Sequence, residues 1–291
     1  MEIKDIENQI INADCMDILK ELPDKCVDLV LTDPPYGYLK IDFDKNYFLE
    51  EQVFTQIARV LKKDGLIVFS GRGDKFFRQN LILEKLGVPF KEEIIWNKKA
   101  SSTCFNDIQR KHELFVIRGN KKLNYITENW EEHYIDNTQL VQAINRVIST
   151  IKKKPELICN YIKNGKIKYD LPRKSRNDIT ISKKTKTIDR GLAIFKGFFE
   201  GFKLPSILNI SRDNVYRGIH PTQKPIKLYE VLIKLCSNEN DLILDCFSGS
   251  GTTAVACHNL KRRFICIEKD SDYWEASVER LKNAQAQMKL F

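Results

Sequence analysis

Short runs of consecutive apolar residues alternate along this chain with longer segments whose apolar positions recur every three or four residues. Ile10-Ile11, Val27–Leu31, Leu66–Phe69, Phe90–Trp96, Leu114–Ile117, Asp241–Leu244 and Arg263–Ile267 read as strands. Met16–Leu22, closed by Pro23, reads as a short amphipathic helix. Over residues 47–63 the apolar positions Phe48, Val53, Phe54, Ile57, Val60 and Leu61 predict a helix ended by Gly65, with Lys62-Lys63 at its negative end. Phe76–Leu86, followed by Gly87, and Ile226–Cys236, with Pro225 in its first turn, repeat the pattern. Further helices start at Ala254 and run over Tyr273–Met288. Strands alternating with helices predict an α/β fold: a mainly parallel twisted sheet with helices on both faces.

After Arg118 the alternation stops. Residues 119–212 are rich in Lys, Asn, Ile and Tyr, and only Val141–Ile151 and Leu157–Ile162 read as helices. Three basic clusters stand there: Lys152-Lys153-Lys154, Arg173-Lys174-Ser175-Arg176 and Lys183-Lys184-Thr185-Lys186. Tyr125, Trp130, Tyr134, Tyr161, Phe195, Phe198 and Phe199 are interleaved with them. Cations for phosphates and rings for bases suit a DNA-contacting module, while a solvated insertion is the plainer alternative. The expected organisation is therefore 1–118, an insert at 119–212, and 213–291. The whole chain, 291 residues with 48 Lys plus Arg against 39 acids and a net charge of +9, is large enough for a substantial core. Its charge suits a polyanion or ordinary solubility equally well. The eight cysteines form no C-x-x-C pair, and the four histidines are scattered. They predict reduced thiols in a cytoplasmic protein and no metal site. No apolar run reaches the length of a membrane span, so no membrane partner is expected.

The chemistry concentrates at two strand ends. Val27–Leu31 leads into Thr32 and then Asp33-Pro34-Pro35-Tyr36. The prolines have no N–H, fix their own φ and restrict their predecessors, so the chain leaves the strand in one extended shape. It presents a carboxylate, carbonyls without competing donors, and a flat ring. A planar amine-bearing group fits that set: its NH2 donates to the acceptors while it stacks on Tyr36. A proline-stiffened surface turn is the bland alternative.

The second strand end reads Asp245-Cys246-Phe247-Ser248-Gly249-Ser250-Gly251-Thr252-Thr253, and Glu268 ends the next strand. Glycines let backbone approach a ligand, and an acid about twenty residues on can hold two ribose hydroxyls. A loop of this kind also serves nicotinamide and flavin enzymes, but the third glycine of their fingerprint is missing here, and no Gly-Lys-Ser/Thr marks a triphosphate loop. Upstream, His220-Pro221-Thr222-Gln223-Lys224-Pro225 forms a proline-bracketed loop before a helix, whose N–H groups can hold a carboxylate. Asp14, after Ile10-Ile11, suits a helix N-cap or a ligand contact equally well. His112-Glu113 lacks the second histidine of a zinc-protease helix, and His112 reads as structural.

Taken together, these motifs resemble the S-adenosylmethionine-dependent DNA amino-methyltransferases, specifically their circularly permuted β group. In that group the Asp-Pro-Pro-Tyr motif comes first, a target-recognition region second and the cofactor loop last. The resemblance covers about two-thirds of the chain and leaves out the insert. It implies a Rossmann-like methyltransferase fold, with Asp33, Pro34, Pro35 and Tyr36 catalytic. It implies S-adenosylmethionine held by Asp14, Phe247, Gly249, Gly251 and Glu268, with Thr222, Lys224 and Asp245 as further cofactor residues. Asp245 has a second reading, as organiser of the loop through its amides. Asp at position 33 favours adenine N6 over cytosine N4, whose enzymes more often carry Ser there. Double-stranded DNA is the implied partner, with a homodimer and a cognate restriction endonuclease as candidate companions. An RNA or protein-amide methyltransferase, a nicotinamide oxidoreductase and a catalytically idle DNA-binding protein are the remaining alternatives. The Asp33 set and the order of the motifs speak against each.

Overall fold

The computed structural model describes residues 2–35, 50–99, 111–128, 137–153, 155–164, 190–212 and 222–288. Tyr36, His220, Pro221 and the basic runs at 173–176 and 183–186 lie outside the described residues. The chain divides into two compact units: Met1–Asn124 with Pro205–Phe291, and Tyr125–Leu204.

Among the described residues, eight strands make the sheet of the first unit. In spatial order they are β1 (Gln9–Asn12), β10 (Arg263–Glu268), β9 (Leu242–Asp245), β2 (Val27–Thr32), β3 (Leu61–Gly71), β5 (His112–Gly119), β4 (Phe90–Asn97) and β8 (Ile207–Asn209). The first five run parallel. Only β5 is reversed against its neighbours, and β8 pairs parallel with β4. The expected α/β sheet is thus present, with β8 joining it from within residues 119–212.

The helices of this unit are α1 (Ile3–Ile6), α2 (Cys15–Glu21), α3 (Glu50–Val60), α4 (Gly73–Lys85), α8 (Ile226–Cys236), α9 (Thr252–Asn259) and α10 (Ser271–Met288), with α5–α7 in the second unit. Helix α3 forms because Val53, Phe54, Ile57 and Val60 fall on one buried face, with Glu50 and Glu51 at its positive end. It ends earlier than the apolar spacing predicts. Leu61 pairs with Val27 in the ladder, and Lys62 Nζ donates to Asp28 Oδ1 at 2.8 Å. An apolar residue such as Leu61 fits either period, and here strand pairing claims it.

Alternate residues of the central strands face opposite layers. Val30, Ile67, Phe69, Val116, Leu244 and Ile265 pack with Ile18, Leu19, Val53, Phe54, Ile57 and Leu83 from α2, α3 and α4. The rings of Phe54 and Phe76 each lie 5.4 Å from that of Phe69. The intervening Leu29, Leu31, Leu66, Val68 and Ile243 are equally buried on the other face, as are Leu232, Ile233, Ala254 and Val255 of α8 and α9. Burial on both faces explains why these strands read as continuous apolar runs. Cys236, Cys246, Cys257 and Cys266 are free thiols inside this core, whereas Cys159 is exposed. Burial pushes the Cys236 thiol up to about 12.

The second unit contains α5 (Asn137–Lys153), α6 (Pro155–Asn164) and α7 (Arg190–Glu200), with an antiparallel pair, β6 (Thr127–Glu128) and β7 (Phe202–Lys203). Phe198 meets Phe202 edge-on at 5.7 Å. Among the described residues no helix is long and apolar enough to cross a membrane.

Candidate active site

Parallel strands bring their carboxyl ends to one edge of the sheet, and open α/β sheets bind ligands there. Asp33 follows the last residue of β2. Thr32 is paired with Phe69, so Ser70 stands beside Asp33 and its hydroxyl donates to Asp33 Oδ1. Lys224 Nζ donates to Asp33 Oδ2. Pro34, which follows, is buried, and Pro35 is half-buried.

A second carboxylate lies behind the first. Glu113, near the start of β5, accepts from Lys98 Nζ at 3.0 Å through Oε1. Its Oε2 is 3.3 Å from Lys224 Nζ, and Arg212 Nη2 is 3.8 Å from Oε1. Burial works to raise the Glu113 carboxyl, but Lys224, Lys98 and Arg212 outweigh it and hold it at about 2. Burial likewise works against the charge on Lys224, yet Asp33 and Glu113 prevail and raise it. For Lys98 burial wins and its pKa is lowered. The ammonium of Lys224 thus sits between two carboxylates with almost no water to screen it.

Asp245 ends β9 and is 2 % exposed. Its Oδ1 accepts from Thr32 Oγ1 at 2.8 Å and from the Phe247 N–H at 3.1 Å, and its Oδ2 accepts from the Thr253 hydroxyl. Burial still pushes its carboxyl up to about 6. These bonds make Asp245 the organiser of the loop, as the second reading of this residue expected. Gly249 and Gly251 follow at φ +50° and +70°, the left-handed region that glycine favours. A Cβ on Gly251 would come within 3.0 Å of Ser277 Cβ and 3.2 Å of Ile10 Cδ1.

Glu268 ends β10 opposite Asn12 of β1. It accepts the Gly249 N–H at 2.7 Å and the Asp270 N–H at 2.9 Å, and burial raises its pKa. Asp14 does cap α2, accepting the Met16 N–H at 2.9 Å, while its other oxygen accepts from Lys269 Nζ at 2.9 Å. Burial opposes its ionisation, but the Lys269 and Met16 bonds outweigh that and lower its pKa. Each of these carboxylate oxygens keeps a lone pair. Carboxylates with a free lone pair can accept from ribose hydroxyls or a heteroaromatic amine.

The structure therefore groups Asp33 and Pro34 with Lys224 at the β2 end, and groups Asp245, Phe247, Gly249, Gly251, Glu268 and Asp14 at the ends of β9, β10 and β1. Thr252 Oγ1, which donates to the Lys224 carbonyl at 3.2 Å, links the two groups. Lys224, expected as a cofactor residue, directs its ammonium to Asp33 and Glu113. Thr222 is exposed two residues earlier. Sequence reasoning gave no role to Ser70 or Arg212. Ser70 was within reach, because it ends the apolar run after β2 and neighbouring parallel strands end together. Glu113 was noted only together with His112, which was read as structural and is exposed opposite Asn97.

Residues 27–279 match the N6/N4 DNA methylase family. The chain belongs to that family. It is a DNA methyltransferase, and related sequences agree. The Type II methyltransferase M1.MboII of Moraxella bovis is 27% identical over 273 residues, covering 91% of this chain and 93% of its own. Among solved structures, the M1.HpyAVI–S-adenosylmethionine complex aligns with TM-score 0.56 and 24% identity over 94% of this chain and 99% of its own. The cytosine-N4-specific PvuII DNA methyltransferase aligns with TM-score 0.55 and 15% identity over 97% and 94%. At these identities the two structures carry the fold alone.

Proposed function

We propose that this DNA methylase transfers a methyl group to N6 of an adenine within a specific site in double-stranded DNA. Its methyl donor is S-adenosylmethionine. What supports adenine over cytosine is that position 33, just past β2, is Asp where the resembled cytosine-N4 enzymes more often carry Ser; its two oxygens are held by Ser70 and Lys224. The target base leaves the duplex, because its amine is otherwise engaged in pairing. The Asp33 carboxylate and the Pro34 carbonyl accept the two amine protons, and Tyr36 stacks on the ring. Electron density is thereby gathered on a nitrogen whose lone pair is otherwise spread into the ring.

Bound S-adenosylmethionine supplies an electrophilic methyl on a sulfonium. With the amine receiving that methyl, Asp33 would take the proton the nitrogen loses and pass it to water. Positioning in a site from which water is excluded supplies most of the acceleration. Asp14 and Glu268 hold the adenosine, Gly249 and Gly251 keep the loop open to it, and Phe247 flanks it. Thr222 and the Lys224 backbone close the methionine end, and Asp245 fixes the loop from beneath. Residues 119–212 supply target recognition, flanked by the catalytic half 1–118 and the cofactor half 213–291. A homodimer and a cognate restriction endonuclease are the proposed companions, and the cytoplasm the proposed compartment.

Cytosine N4 is the second reading, since its amine fits the same two acceptors and the PvuII enzyme of that specificity shares the fold. Single-molecule sequencing of DNA from cells expressing the protein, with an Asp33→Ala control, decides between them. N6-methyladenine in one motif, absent from the control, is the expected result. N4-methylcytosine would overturn the adenine assignment and leave the mechanism standing.

A further inference from the structure

We infer that Lys224 is a placeholder on the acceptor carboxylate that passes from Asp33 to Glu113 when the target amine arrives. This rests on the reading of Asp33 as the amine acceptor. One ammonium lies within bonding distance of two carboxylates: it donates to Asp33 Oδ2 and is 3.3 Å from Glu113 Oε2. No backbone movement is needed to pass between them. Glu113 is built to receive it. Lys98 and Arg212 both approach Oε1, at 3.0 and 3.8 Å, which leaves Oε2 facing Lys224. The Lys224 backbone is fixed by Thr252, itself held by Arg280 Nη1 at 3.0 Å, so the swing is confined to the side chain.

Charge supplies the reason for the movement. A target amine and the ammonium compete for the same Oδ2. As the methyl transfers, positive charge moves onto the amine nitrogen, and an ammonium still bonded to that oxygen would repel it across a site with little screening. Transfer of Lys224 to Glu113 removes the repulsion and keeps the buried cation paired, which a swing toward solvent would not do. The charged and titratable groups around the swing are Asp33, Glu113, Lys98, Arg212, Asp245 and Tyr229. Of these, only Glu113 is a carboxylate within reach of the ammonium while lying off the acceptor.

Single-turnover methyl transfer from tritiated S-adenosylmethionine to PCR-amplified bacterial genomic DNA tests this. Glu113→Gln removes the second seat and slows transfer about tenfold or more, with cofactor affinity unchanged. Adding Lys224→Gln to Glu113→Gln then raises the rate, because no ammonium is left stranded on Asp33. A purely structural role for the pair predicts the opposite order. Wild-type speed in Glu113→Gln, or a double variant no faster than it, overturns the inference. Should Glu113→Gln fail to fold, Glu113→Asp, which draws the second seat back from Lys224 Nζ, tests the same step. Slower transfer at unchanged cofactor affinity is expected, and wild-type speed refutes the placeholder. Asp33→Ala separates the two levels. If it still methylates, the acceptor reading fails and the inference with it. If it is inactive while Glu113→Gln is fully active, only the inference fails.

Discussion

Replacing Asp245 with Asn should change stability by an amount that depends on pH. Inside the fold this carboxyl holds its proton up to about pH 6, whereas its ordinary value is 3.8. A raised carboxyl favours the folded state fully below the unfolded value, and that advantage is lost as pH rises through the folded one. About two units at about 1.4 kcal/mol each make the loss about 3 kcal/mol. Asn cannot ionise, so the variant lacks this dependence. Its other cost is small. An amide can keep Oδ1 on Thr32 and the Phe247 N–H while its NH2 donates to Thr253 Oγ1, at a net expense of about 1 kcal/mol. Asp245→Asn should therefore look most destabilising in acid, its penalty shrinking by about 2 kcal/mol between about pH 4.5 and pH 7.5. Urea titrations of both proteins at the two pH values, followed by tryptophan fluorescence, measure the difference directly. A penalty that is constant, or that grows with pH, would refute burial as the dominant influence on Asp245.

Gly251→Ala forces a side chain onto φ +70° with Ser277 Cβ only 3.0 Å away. It should lower stability by about 1–3 kcal/mol and weaken S-adenosylmethionine binding in a calorimetric titration; unchanged values for both would sink the account of the loop. Phe54→Ala empties a fully buried site against Phe69 and should cost about 3–5 kcal/mol in the same urea assay. Lys152→Glu with Lys153→Glu, both exposed at the end of α5, should weaken DNA binding and flatten its salt dependence by about one unit of slope for each phosphate that is no longer neutralised. Cofactor affinity should not move, and an unaltered salt slope would show that these lysines are merely solvated.

Much of the fold was legible because the sheet is buried on both faces. Strands such as Val27–Thr32 and Leu242–Asp245 then read as unbroken apolar runs, and glycines or prolines mark where they stop. The boundary at Leu61 was not legible, since one leucine satisfies both helical and ladder spacing. The short strand β8 escaped for another reason. Three residues carry no periodicity, and its place is set by pairing with β4. Within the site, Asp33 and the glycine loop announced themselves by composition. Ser70 and Arg212 are unremarkable in their own segments and acquire meaning only from Asp33 and Glu113, which lie far from them along the chain.

The permuted order of the motifs is physically unproblematic for the same reason. What brings the Asp245 loop beside Asp33 is the adjacency of β9 and β2, paired through Leu29 with Ile243 and Val30 with Leu244. The Thr32 hydroxyl on Asp245, 213 positions away in sequence, then ties the last residue of one strand to the last of the other. Both strands run in the same direction, so both ends reach the same edge wherever the chain is opened. The unit at Tyr125–Leu204 is inserted in the sequence between β5 and β8, after the strand that carries Glu113 and outside the segments that form the β9–β2 pair. Its sequence is thus not tied to the β9–β2 pairing, while the geometry that joins Asp33 to the Asp245 loop stays under the constraint of the sheet.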